Sequence, residues 1–453
     1  MNSTPLNLLD ELYLNLDHRE EPWVVHVEAR VTGRLEPERL AAALAAAIQR
    51  HPIARARLAE AHSTDRHHRW EILDGIEEVP MHIAVCEDEA MLARARERHF
   101  AFSPSLDVAP PFAVLLAHMP DGDALLLNLN HAAIDGIGAV RLMRSILRAY
   151  AGEEDPVPAV DPLAVRDVQT LAGAVTPADR LIRARALVRH ALLRQAAPVA
   201  RLARDGGNPR PAYGFAFLAL SSAETAALAQ RRTGGTTVND VLLAALAVAI
   251  TRWNQQHGRP ARRVSITMPV NLRPQLWRTE VVANFASFAT VSLAAHEHES
   301  LAHAIEATRR STHAIKRDDL SGTVVDLLAV PALLSIAAKR CLQDLIPVGG
   351  DAVVDTASLS NLGVLDALPS LGDAGSVRGM WFSPPGQMPL GASFGVLTVG
   401  GRLQLTLRYR HAQFDEDAAR AFLDIYRGVL IPREIGPRPA TPLQCGPRTT
   451  VGR

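Results

Sequence analysis

Cysteine is scarce in this chain: Cys86, Cys341 and Cys445 are the only three in 453 residues, and they fall in no ligand or redox spacing. That excludes a disulfide scaffold and a Cys-x-x-Cys centre. It fits a reducing, cytoplasmic setting in which each thiol is a small buried or surface group. Net charge is missing as well, since Lys plus Arg and Asp plus Glu both number 48, so no global field favours nucleic acid. The longest apolar run, 241–250, is too short to span a bilayer, which takes roughly 20 residues. Residues 1–21 carry Asp10, Glu11 and Asp17 and no apolar core, so no secretion signal is expected. His67 and His68, and the group His296, His298 and His303, sit among charged residues and read as solvated surface. No further ligand set stands at metal-binding spacing, so no metal is expected. With 48% hydrophobic residues, the chain can fill the cores of two to three domains.

What is present centres on Asn130-His131-Ala132-Ala133-Ile134-Asp135-Gly136. Before it, Leu125, Leu127 and Leu129 alternate with Leu126, Asn128 and Asn130, the period of a short strand. After Gly136, Ala139, Leu142, Met143, Ile146, Leu147 and Tyr150 recur at helical spacing, with Gly152 as a stop. His131 and Asp135 therefore belong to a strand-to-helix connection. On the residues alone, His131 is either a proton carrier or a hydrogen-bonded core histidine.

The flanking pattern suggests two similar halves. Strands are expected at 24–31 and 53–58 around a helix at 38–50 in the first. The charged, proline-containing 153–158 segment marks the exit into a crossover linker. In the second half, Thr236 or Thr237 caps a helix to about Trp253 that is apolar nearly all round and so should be buried. Strands are expected at 264–268, 285–293, 394–398 and 403–409, then a closing helix at 415–430 and a loose Pro-, Gly- and Arg-containing tail. This divides the chain into 1–152, a linker at 153–211, 212–430, and a tail at 431–453. In the linker, Arg180, Arg183, Arg185, Arg189, Arg194, Arg201 and Arg204 are interleaved with Leu181, Ile182, Leu187, Val188, Leu192 and Leu193, and no acid intervenes. This arginine-rich amphipathic segment reads as a solvated face, or as a docking surface for an acidic carrier protein, the phosphates of coenzyme A, or an anionic membrane.

The 130–136 segment resembles the His-His-x-x-x-Asp-Gly signature of the acyltransferase superfamily that includes chloramphenicol acetyltransferase, nonribosomal peptide condensation domains and the bacterial wax ester synthase/diacylglycerol acyltransferases. Further segments in the same order are similar to it: 5–10, 50–58, 107–112, Thr237-Val238-Asn239-Asp240, Pro269-Val270-Asn271-Leu272-Arg273-Pro274, and a late Ser-Asn loop at Ser360-Asn361-Leu362-Gly363. Asn130 replaces the first histidine of the pair. The second is the catalytic one in that family, so the chemistry is retained and the nearest subfamily is left open. The resemblance implies an α/β fold of two chloramphenicol-acetyltransferase-like sandwich halves in one chain, with a tunnel between them reaching His131 from both sides. A monomer is expected.

It also implies the chemistry. Acyl transfer from a thioester needs a base to take the proton of a hydroxyl or amine and return it to the departing sulfur, a role suited to His131. The donor is an acyl-coenzyme A or a phosphopantetheine-carrier thioester, used as a co-substrate with no resident cofactor, and transfer is direct in a ternary complex. The acceptor is a small alcohol or amine, in natural-product condensation or lipid ester synthesis. Asp135 is poorly placed to orient the imidazole, and the resemblance implies a structural salt bridge to an arginine of the other half, for which Arg273 is the candidate. Gly136 serves backbone geometry and offers an amide towards an oxyanion. Asn130, Asn239, Asp240, Ser360, Asn361 and Ser393 are candidates for substrate or oxyanion contacts, although Asn239 and Asp240 also suit simple helix capping. A catalytically silent carrier- or partner-binding module of the same fold is the alternative, against which the intact His131 speaks.

Overall fold

The computed structural model describes residues 2–18, 21–76, 78–156, 160–194, 198–208, 212–232, 234–343, 355–365, 367–386 and 391–431. The expected tail, Ile431 apart, lies outside the described residues, as does Cys445. Strands in the first half are β1 (Asn2–Pro5), β2 (Val24–Val31), β3 (Ala56–Leu58), β4 (Arg69–Ile72), β5 (Met81–Val85), β6 (Phe112–His118) and β7 (Ala124–Asn130). Those that follow are β8 (Tyr213–Ala219), β9 (Arg263–Asn271), β10 (Ala286–Ala294), β11 (Ala357–Val364), β12 (Val377–Ser383), β13 (Ala392–Val399) and β14 (Arg402–Arg410). They build a five-stranded sheet in the order β12-β2-β7-β6-β5, a six-stranded sheet in the order β10-β9-β11-β13-β14-β8, and a small sheet β1-β4-β3.

The motif strand β7 lies inside its sheet between β2 and β6, antiparallel to both. Leu125, Leu127 and Leu129 are fully buried, a burial worth about 1.5–3 kcal/mol for each side chain. The helix Gly136–Ala151 begins where Asp135 caps it by accepting from the Gly138 amide, and ends at Gly152 in the left-handed region, φ 73°. It packs on the helix Pro37–Arg50. In the second half, Thr237 and Asp240 form a capping box on the helix Val238–Gln256, whose residues 240–251 are all buried. Its apolar circumference is covered by the helices Leu301–Arg317 and Glu416–Leu430.

Two expectations need correction. The 53–58 stretch is not one strand: Pro52–Arg55 is a 3-10 turn and only Ala56–Leu58 is extended, since Pro52 at the first turn position favours a helical start. The late Ser-Asn loop is part of strand β11, with an irregularity between Asn361 and Val364. Within the 212–430 segment, β12 crosses over to pair antiparallel with β2 of the first sheet. Nothing local in Val377–Ser383 encodes that crossing. It is fixed by register, with Trp381 opposite Glu28 and Ser383 opposite His26.

Candidate active site

His131 stands at the end of β7, held by both halves through its backbone. Its amide donates to the Trp23 carbonyl at 3.1 Å, and its carbonyl accepts from Asn284 Nδ2 at 3.1 Å. Asn284 is itself tied to the opening segment, since its carbonyl accepts from Asn7 Nδ2 at 3.0 Å. The imidazole stacks on Tyr13 of the helix Leu8–Leu16, with centroids 4.3 Å apart, and the Tyr13 hydroxyl donates to the Ala286 carbonyl at 2.7 Å. Burial, aided by the Asp135 charge, pushes the Tyr13 phenol above its ordinary pKa, so it remains a donor.

The ring of His131 enters no hydrogen bond with another residue among those described, and its Nδ1 is buried. Burial pulls the imidazole down to about 4, while its own backbone carbonyl and the Asp135 carboxylate act the other way. The side chain is therefore neutral at physiological pH, and neutral imidazole is the form that accepts a proton. The residue as a whole is buried, with 7% of its surface exposed.

Asp135 does not orient this ring by hydrogen bonding, because both its oxygens are engaged elsewhere. Oδ1 accepts from the Gly138 amide at 2.8 Å and Arg273 Nη2 at 2.9 Å. Oδ2 accepts from Arg273 Nη1 at 2.7 Å and the Phe285 amide at 2.8 Å. The pair is a bidentate fork across the halves, and both side chains are almost completely buried. Arg273 also donates to the carbonyls of Val281 and Ala283 and to Asn271 Oδ1. Its guanidinium lies 4.5 Å above the Phe285 ring. At Gly136 a Cβ would come within 2.8 Å of the Phe382 ring on β12, so the motif glycine admits the crossing strand against the site.

The candidate contact residues fare differently. Asn130 is a scaffold residue: Nδ2 donates to Asp17 Oδ2, Ser103 Oγ and the Pro104 carbonyl, and Oδ1 accepts from the Ala132 amide. These bonds tie it to the opening segment and the 103–104 loop. Asp240 is likewise used up, by the Thr237 amide and hydroxyl and by Thr312 Oγ1 at 2.8 Å. Asn239 faces the Met268 sulfur at 3.7 Å. Asn361 Oδ1 accepts from the Gly363 amide and shapes the irregular end of β11. Ser393 is fully buried and bonded to Ser358 at 2.8 Å, and Ser360 is buried on β11 opposite Gly395. Among the described residues no hydrogen bond joins any of these to His131 or Asp135. Tyr13, Trp23 and Asn284 were not singled out in the sequence, because each acts on His131 across long separations and carries no local signature.

Two surface expectations change. His298 is buried, and its Nδ1 lies 2.9 Å from Thr251 Oγ1. In the arginine-rich segment, the helix spans Pro177–Arg194, leaving Arg201 and Arg204 beyond it. Arg183 is paired with Asp319 and Asp326, and Arg189 with Asp318. That face is a contact with the 318–326 segment, whose acids lie far off in sequence, while Arg180 and Arg185 are exposed. Among the described residues no cluster of three His, Cys, Asp or Glu is placed to hold a metal, and no helix is long and apolar enough to cross a membrane.

The buried histidines should make the protein acid-labile. Burial lowers the pKa of His26 well below its ordinary value, of His51 to about 3, of His99 and His131 to about 4, and also of His298. The unfolded chain therefore binds more protons below about pH 6.5, the free imidazole value. Stability is full above that pH and falls as pH drops towards 4. Urea midpoints measured from pH 7.5 to 4.5 should decline from about pH 6.5 downwards. A flat profile over that window would show that these imidazoles are not buried neutral.

A condensation-domain family model matches residues 12–321 of this chain. The chain belongs to the condensation-domain family. It is 40% identical over 431 residues to an uncharacterized protein of Mycobacterium tuberculosis strain H37Rv, with 94% of this chain and 98% of that one covered. A second protein of that strain, whose assigned name is that of a diacylglycerol O-acyltransferase, is 26% identical over 348 residues, covering 69% of this chain and 67% of its own. The solved first condensation domain of the calcium-dependent antibiotic synthetase, bound to a substrate analogue, superposes with a TM-score of 0.68 at 15% identity, covering 95% of both chains. At that identity the likeness concerns the fold, two α/β halves in one chain. Family membership supports acyl transfer in general.

Proposed function

We propose that the protein transfers an acyl group directly from a thioester donor, acyl-coenzyme A or an acyl or peptidyl carrier protein, to a hydroxyl or amine acceptor, with His131 as the general base. The observation that carries this reading is a neutral, buried imidazole at the meeting of the halves whose ring bonds to no other described residue, beside a carboxylate locked elsewhere. In the reaction the acceptor oxygen or nitrogen forms its bond to the acyl carbon as His131 takes its proton. The carbon–sulfur bond then breaks, and the proton passes to the departing thiolate. A pKa near 4 keeps the ring unprotonated at the expense of basicity. The Asp135 charge, held without a direct bond, offsets part of that loss.

The assigned name of the 26% identical relative supports lipid ester synthesis as one version, and membership of the condensation-domain family supports natural-product condensation as the other. The test is intact-mass detection of products from acyl-coenzyme A and carrier-bound donors, each paired with fatty alcohol, diacylglycerol and amine acceptors. Product dependent on both partners is expected. Donor binding with no transfer to any acceptor would replace this reading with a silent binding module.

A further inference from the structure

Polar groups without partners are concentrated between the halves, next to the candidate site. β2 turns His26 and Glu28 away from the main core, and β12 sets Trp381 and Ser383 beside them. From the second half, β14 brings Thr406 and Arg408. His26, Ser383 and Thr406 line one small cavity with Phe100, Phe215 and Trp381. Both ring nitrogens of His26, Trp381 Nε1 and Thr406 Oγ1 are buried with no hydrogen-bond partner among the described residues.

Arg408 is the strongest anomaly of this group. It is 1% exposed, and its guanidinium lies 4.0 Å above the Tyr213 ring. Nη1 has only long contacts, 3.3 Å to the Val24 carbonyl and 3.4 Å to that of Pro384. Nε and Nη2 are buried and meet no carbonyl or carboxylate among the described residues, while the Tyr213 side chain acts on the guanidinium against the effect of burial. Buried Arg30, Arg96, Arg141, Arg166 and Arg273 each meet a carboxylate; Arg408 meets none among the described residues. Burial lowers its pKa to about 10, so it is still charged at neutral pH. A buried cation without a counter-charge is costly, and here the counter-charge is not supplied by the described chain. The two free nitrogens are the side-on fork of the guanidinium, Nε–H and Nη2–H pointing the same way, which matches the two oxygens of a carboxylate. Gly386 packs against this flank: a Cβ there would meet Arg408 Cδ and Nε at 3.4 Å and the Tyr213 ring at 3.3 Å, so the missing side chain is what leaves room beside the fork.

The position is close to the chemistry. Val24, touched by Arg408, follows Trp23, whose carbonyl holds the His131 amide. We propose that Arg408 binds a carboxylate carried by one of the two substrates, a selectivity that rests on the acyl-transfer reading of His131. The carboxylate belongs either to the acceptor, as in a hydroxy or amino acid, or to the far end of a dicarboxylic acyl chain.

Calorimetric binding separates these sources without needing turnover. The acceptor arm compares 3-phenyllactate with its methyl ester. The donor arm compares glutaryl-coenzyme A with butyryl-coenzyme A, and both are measured on the His131→Ala protein with and without Arg408→Gln. One arm should show the carboxylate form binding at least about tenfold tighter, the effect of one charge-assisted fork, and Arg408→Gln should abolish that preference. Arg408→Met replaces the glutamine variant if that one does not fold. Equal binding within both pairs, no carboxylate binding at millimolar concentration, or a preference surviving in the folded variant would overturn the proposal. So would failure of both variants to fold, which would make Arg408 a structural strut. If the acyl-transfer reading alone fails, the carboxylate preference persists while no acceptor yields product.

Discussion

Replacing His131 with alanine should lower turnover at least about 100-fold, the low end of general-base catalysis, and leave a folded protein. The fold should survive because the contacts that fix this position are made by its backbone, to Trp23 and Asn284, and alanine preserves both. The lost side chain contributes one stacked contact with Tyr13. It also removes a buried imidazole, so part of the acid lability should go with it. The expected comparison is kcat/KM for the best donor and acceptor pair, with circular dichroism as the fold control. In the wild type, the acid limb of kcat/KM should lie nearer 4 than 6.5, as burial of the ring dictates. Activity of the alanine variant within a few-fold of wild type would refute His131 as the base.

Asp135→Ala should damage stability as well as activity. Removing one member of a buried, hydrogen-bonded pair costs about 3–5 kcal/mol, because the partner charge is left uncompensated. Here Arg273 would keep its bonds to Val281, Ala283 and Asn271 but lose both carboxylate contacts. The helix Gly136–Ala151 would lose its cap in the same stroke, about a further 1 kcal/mol. A double-mutant cycle isolates the pair: Asp135→Asn and Arg273→Gln should show stability coupling of at least about 1 kcal/mol. Additive losses would mean that the fork contributes nothing beyond its separate parts. The contrast between the two positions is itself diagnostic. His131 should behave as a chemical residue whose loss spares the fold, and Asp135 as a positioning residue whose loss does not.

Several elements of this protein were legible in the sequence because their cause is local. Leu125, Leu127 and Leu129 alternate at the strand period, Gly136 and Gly152 bracket a helical repeat, and Thr237 with Asp240 writes a capping box three residues apart. Each of these is settled within a few residues by backbone geometry and the burial of one face. The cross-half partner of Asp135 was reached through motif resemblance, since 138 positions separate it from Arg273. Only the tertiary structure decided the rest. It consumed Asn130 and Asp240 in scaffold bonds, buried His298, and drew Arg183 and Arg189 onto acids of the 318–326 segment. It also sent β12 into the first sheet and left Arg408 enclosed without a counter-charge among the described residues. The reason is common to all of these: whether a polar side chain is free, paired or stranded depends on which distant groups surround it, and desolvation acts on that surrounding volume, not on neighbours along the chain.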